Sequence, residues 1–152
     1  MEALTQKETS LLTDAKNSEA VCIEKYNKYA SQASDPNLRT MFQGLSQKEQ
    51  QHLNTINSML SGTVPPMQQS QQQAQQQPPQ IPANQNNVDK TNDSYLCKDA
   101  LSSEKHVSAT YNTAIFEFKD TNIRQALNHI QKEEQEHGEQ IYNYMTQNGM
   151  YN

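Results

Sequence analysis

Residues 46–56 read SQKEQQHLNTI, and residues 131–141 read QKEEQEHGEQI. Each stretch sets a glutamate three residues before a histidine, Glu49 with His52 and Glu134 with His137. Residues three apart on a helix share one face. The second stretch lies 85 residues after the first, and that offset extends outward without a gap. It pairs Leu11 with Leu96, Asp14 with Asp99, Glu19 with Glu104 and Tyr26 with Tyr111. It also pairs Asp35 with Asp120, Arg39 with Arg124 and Ile56 with Ile141. An internal repeat is stronger fold evidence than local propensity.

Each repeat reads as two helices. A capping box from Thr5 to Glu8 opens the first, which is expected to run to about Ala33. Asp35 followed by Pro36 opens the second, and Gly62 stops it after about Leu60. The third is expected to begin between Asn92 and Ser94 and to end near Lys119. Asp120 and Thr121 cap the fourth, which runs to about Gln147 before Gly149. No strand-type alternation competes. Two hairpins, each with one apolar stripe, bury those stripes against each other as an all-α four-helix bundle.

The stripes carry residues that do not belong in an apolar core. At steps of three and four residues they run Leu12, Ala15, Glu19, Cys22, Tyr26, Tyr29, Ala33 and Leu38, Phe42, Leu45, Glu49, His52, Ile56, Met59. The second pair gives Cys97, Ala100, Glu104, Val107, Tyr111, Ala114, Phe118 and Ile123, Leu127, Ile130, Glu134, His137, Ile141, Tyr144. A buried carboxylate costs several kcal/mol unless it is paired or binds a metal. Four together repel, and some take up protons. Two divalent cations offset four carboxylates. A Glu from each of two helices and a Glu-x-x-His from each of the others is the bundle recipe for such a pair. Glu19, Glu49, His52, Glu104, Glu134 and His137 complete the set, which suits two Fe or Mn ions. The alternative is a bundle whose buried polar residues are protonated or hydrogen-bonded without metal. Tyr26 and Tyr111, each seven residues after a stripe glutamate, are core tyrosines whose hydroxyls are placed to hydrogen-bond the carboxylates. Glu24, Glu133, Glu136, Glu139, His106 and His129 fall off the stripe and read as surface. Cys22 and Cys97 hold non-equivalent repeat positions and read as small buried thiols.

Composition divides the chain. Of 152 residues, 21 are Gln and 15 are Asn. Five of the six prolines fall in residues 61–91, and nine of the 13 residues from 68 to 80 are Gln. This segment reads as a disordered or polyproline-like linker. The domain plan is one bundle over residues 1–152, with hairpins at 1–60 and 92–152 and the linker at 61–91. A two-fold relation between the hairpins starts the third helix at the bundle end opposite to where the second stops. A helix of ~25 residues is about 37 Å long, and a flexible linker of ~31 residues spans about 30 Å. The crossover is therefore feasible. No apolar run is long enough to insert in a membrane. The N-terminus lacks the pattern of a secretory signal. A net charge of −5 argues against nucleic acid as a partner. Two cysteines make neither a disulfide framework nor a four-thiolate site.

Glu-x(6)-Tyr followed by Glu-x-x-His, twice over, resembles the ferritin-like superfamily, especially its rubrerythrin-type members. That resemblance implies a di-metal site on the six residues above, with Tyr26 and Tyr111 supporting it. Rubrerythrins proper also carry a rubredoxin module with two Cys-x-x-Cys pairs, which Cys22 and Cys97 cannot supply. The stretches CIEKYNKY at 22–29, DPNLR at 35–39 and IYNYM at 141–145 are similar to the spore coat protein F (coat F) family of endospore-forming bacteria. This implies synthesis in the mother-cell cytoplasm, deposition in the spore coat, and other spore coat proteins as partners, with a homo-oligomer left open. Gln tracts and exposed tyrosines suit cross-linking in such a layer. A rival expectation is a di-iron or di-manganese oxidoreductase acting on peroxide, oxygen or Fe(II), and the two are compatible.

Overall fold

The first turn of every helix is closed by a side chain from the residue before it. In the computed structural model, which describes residues 2–66 and 88–151, α1 spans Gln6–Gln32, α2 Pro36–Leu60, α3 Lys90–Ile115 and α4 Thr121–Gln147. Thr5 and Glu8 form the expected capping box, with Glu8 Oε2 accepting from the Thr5 amide at 2.8 Å. Asp35 accepts from the Asn37 amide at 2.9 Å, and Asp120 from that of Asn122 at 2.8 Å. Gly62, with φ +91°, lets the chain leave α2 in a conformation other residues avoid.

Helix α3 departs from expectation at both ends. It starts at Lys90 because Asp89 caps it, accepting from the Asn92 amide at 3.0 Å. Residues 90 and 91, expected in the linker, are therefore helical. It ends at Ile115, and Phe116 projects into solvent while Phe118 turns back into the core. Arg124 fixes this turn by donating to the carbonyls of Phe118 at 2.8 Å and Lys119 at 2.7 Å. Its repeat counterpart Arg39 does the same for Ala33 in the first hairpin.

Helices α1 and α3 run antiparallel. The start of α3 meets the end of α1, where Asp93 accepts from the Ser34 amide at 2.7 Å and the Asp35 amide at 2.9 Å. At the other end, Glu117 pairs with Lys7 at 2.8 Å. Helix α2 packs on α1 and α4 on α3, and α2 also meets α4. The chain thus leaves α2 at one end of the bundle and enters α3 at the other. Most of the expected linker, residues 67–87, lies outside the described residues.

Two apolar clusters fill the bundle. One gathers Leu12, Ile56, Met59, Val107, Ile123, Leu127 and Ile130 near the start of α1. The other gathers Tyr29, Leu38, Phe42, Leu45, Leu96, Ile141 and Met145 near its end. The stripes are buried as expected, with one exchange on α4: Met145 enters the core and Tyr144 is half-buried. The Tyr144 hydroxyl donates to Asp35 at 2.6 Å instead. Between the clusters lies a polar layer.

Candidate metal centre

Four helices supply the layer at mid-height. Helix α1 brings Glu19, α2 Glu49 and His52, α3 Glu104, and α4 Glu134 and His137. All six are buried, none more than 3% exposed. The Glu-x-x-His spacing turns both side chains of α2, and both of α4, inward together.

Both histidines put Nδ1 into the layer. His52 Nδ1 lies 3.0 Å from Glu134 Oε1, 3.2 Å from Glu49 Oε2 and 3.7 Å from Glu19 Oε2. His137 Nδ1 lies 3.0 Å from Glu49 Oε1 and 3.5 Å from both Glu104 Oε1 and Glu134 Oε2. The six residues fall into two groups of four: Glu19, Glu49, His52, Glu134 and Glu49, Glu104, Glu134, His137. Within each group the donor atoms lie within 4.8 Å of one another. Glu49 and Glu134 belong to both.

The tyrosines hold the outer carboxylates across the bundle. Tyr26 of α1 donates to Glu104 of α3, and Tyr111 of α3 donates to Glu19 of α1. Burial, then the neighbouring carboxylates, push both phenols well above their ordinary range, so they remain donors.

The layer stores protons. Burial pushes Glu19 well above the usual carboxylate range, and its neighbour Glu49 adds to this. Burial likewise pushes Glu104 up to about 7. Burial also acts to raise Glu49, but hydrogen bonds with Glu19, His137 and His52 outweigh it and hold Glu49 at about 2. Glu134 is lowered in the same way by His137, His52 and Glu104. Burial disfavours both imidazolium ions, yet the surrounding carboxylates raise both above the ordinary histidine value. Below about pH 7, where Glu104 keeps its proton, two protonated carboxyls, two carboxylates and two imidazolium ions sum to zero charge. Removing four protons and adding two divalent cations leaves that sum unchanged. Three buried oxygens, Oε2 of Glu19, Glu104 and Glu134, also lack a hydrogen-bond partner among the described residues. Buried carboxyl oxygens gathered around two imidazole nitrogens fit a dinuclear centre with hard oxygen and nitrogen donors.

One expectation is corrected. Glu133, expected on the surface, is 7% exposed. Its Oε2 accepts from His52 Nε2 at 2.8 Å. Its Oε1 meets His129 Nε2 at 2.8 Å and Lys48 Nζ at 3.6 Å. His129 is accordingly half-buried rather than free on the surface, whereas Glu24, Glu136, Glu139 and His106 are exposed. Glu133 was legible as a flank of the stripe: an apolar face is wider than a single line of positions. Lys48, its repeat counterpart on the facing helix, carries the opposite charge. Cys22 and Cys97 are free, buried thiols in different clusters. Burial pushes both up, Cys97 to about 12, so neither is a reactive thiolate.

No helix of the described residues is long and apolar enough to cross a membrane. Residues 92–152 match the Coat F domain. A search among curated proteins finds no match. The fold is similar to that of a two-domain protein from Anabaena variabilis containing DJ-1/ThiJ/PfpI-like and ferritin-like domains. That likeness has a TM-score of 0.73 at 16% identity and covers 99% of this chain but 40% of the other, so it concerns the fold alone. Residues 92–152 of this chain are thus similar to the Coat F domain, and they complete a four-helix bundle with a ferritin-like fold.

Proposed function

We propose that this chain is a structural protein of the spore coat whose bundle holds two Fe or Mn ions. The similarity of residues 92–152 to the Coat F domain is the observation that carries the coat assignment. On this reading the chain would be made in the mother cell and would pack with other coat proteins. Tyr95, Tyr142 and Tyr151 are large exposed side chains on which cross-links or coat contacts could form. A tagged copy should co-fractionate with the coat of mature spores. Recovery only from the soluble vegetative fraction would refute the assignment.

The buried cluster supports the metal assignment. Glu19 and His52 would hold one ion, Glu104 and His137 the other, and Glu49 and Glu134 would serve both. Tyr26 and Tyr111 would keep the outer carboxylates aimed inward, and the apolar clusters would keep bulk water from both ends of the layer.

The completeness of this ligand set favours a second reading, a ferritin-like or rubrerythrin-like oxidoreductase acting on peroxide, oxygen or Fe(II). Bound Fe or Mn would supply one-electron redox steps. The chain's own contribution would be orientation and dryness, with each phenolic proton kept at its tyrosine oxygen. Turnover separates the readings. Metal-loaded protein that consumes peroxide over many cycles, with the rate lost in Glu49→Ala/Glu134→Ala, would establish the enzyme. Consumption no faster than with metal in buffer would leave the structural role.

A further inference from the structure

The two halves of the polar layer are built from matching residues, but one histidine is supported from behind and the other is not. Both rings direct Nδ1 inward, so Nε2 is the atom left for outside support. His52 Nε2 donates to Glu133 Oε2 at 2.8 Å. Glu133 is itself fixed, because His129 Nε2 and Lys48 Nζ hold its other oxygen at 2.8 and 3.6 Å.

The repeat places Lys48 where His137 would need such a partner, since Lys48 lies 85 residues before Glu133. A lysine has no acceptor. Instead of supporting His137, it crosses to Glu133. Among the described residues no carboxylate accepts from His137 Nε2; its carboxylate neighbours all lie on the Nδ1 side.

A carboxylate on the far nitrogen fixes the tautomer, orients the ring and makes the ligating nitrogen more basic. Such outer partners change metal affinity by about 10- to 100-fold. We propose that the two metal positions are unequal: the position on Glu19 and His52 fills first, and Glu133 is the positioning residue that makes it so. This rests on the reading of the six buried residues as ligands.

The test is a titration of the chelator-treated full chain with Mn(II) alone, following free Mn(II) by electron paramagnetic resonance. Wild type should take up two ions in steps separated by about 10- to 100-fold. Glu133→Gln should weaken the first step by a similar factor and leave the second unchanged. His52→Ala should remove the tight step and His137→Ala the weak one. Lys48→Glu supplies a carboxylate behind His137 and should tighten the second step. It decides the matter even where Glu133→Gln fails to fold, as judged by circular dichroism. Two ions bound with one affinity, equal weakening of both steps in a folded Glu133→Gln variant, or an unmoved second step in Lys48→Glu would overturn the inequality. Wild type that binds no Mn(II) would overturn the ligand reading itself.

Discussion

Tyr26 donates its hydroxyl hydrogen bond to Glu104, on another helix in the opposite hairpin, and not to Glu19 on its own helix. Tyr111 returns the contact to Glu19. The two hairpins are therefore tied to each other through the layer that separates the apolar clusters. Carboxylate positions depend on both halves being docked.

Removing either hydroxyl leaves a buried carboxylate oxygen without its donor. Tyr26→Phe and Tyr111→Phe should each destabilise the fold by about 1–3 kcal/mol, measured by urea unfolding in chelator. Added Mn(II) should recover part of that loss, because the ion supplies the missing partner. A loss that Mn(II) leaves untouched would point to packing as the cause.

The proton store sets the sign of the pH response. Glu104 is raised from 4.5 to about 7 by burial, so its stabilising effect is complete below 4.5 and lost as pH rises through 7. Both histidines, raised by carboxylate contacts, act in the same direction from 6.5 upward. Glu49 and Glu133, lowered to about 2, stabilise above 4.5 and lose that effect as pH falls. Chelator-treated protein should thus melt at lower temperature at pH 8 than at pH 5. Metal must displace those protons, so the rise in melting temperature on adding Mn(II) should grow over the same interval. Thermal melts across pH, with and without Mn(II), read both slopes. A metal effect that shrinks toward pH 8 would contradict this proton exchange.

Asp93 is fully buried and accepts from two backbone amides in the turn after α1. It clamps the first hairpin to the start of α3. Asp93→Ala should cost about 1.5–3 kcal/mol, more than the roughly 1 kcal/mol of an ordinary cap such as Asp120→Ala. Chemical denaturation of the two variants side by side makes the comparison.

Leu127 is fully buried in the cluster at the α1 start. Leu127→Ala should cost about 2–5 kcal/mol and leave the number of bound ions unchanged. Lost metal in a folded Leu127→Ala protein would mean that the layer depends on distant packing.

The legible parts of this molecule were those governed by short-range rules. Thr5, Asp35 and Asp120 cap as their types and spacing require. The stripe located Glu19, Glu49, His52, Glu104, Glu134 and His137 in the core, because a three-and-four periodicity fixes which side chains share a face. What it could not give was relative rotation between helices. That rotation buries Glu133 against His52, brings Met145 in and turns Tyr144 toward Asp35. Asp89 is masked as a cap by the cap-type residues Asn92, Asp93 and Ser94 that follow it. Asp93 carries no local signal of its role, since its partners lie in the other hairpin.

Counting bound ions decides whether the buried layer is a two-metal site. The full chain should be stripped with chelator, reconstituted with Fe(II) or Mn(II), desalted and measured by elemental analysis. The wild type should hold two ions per chain, and a folded Glu49→Ala/Glu134→Ala variant should lose them. A wild type that retains no metal would contradict this, and the layer would then be a proton-bound polar core.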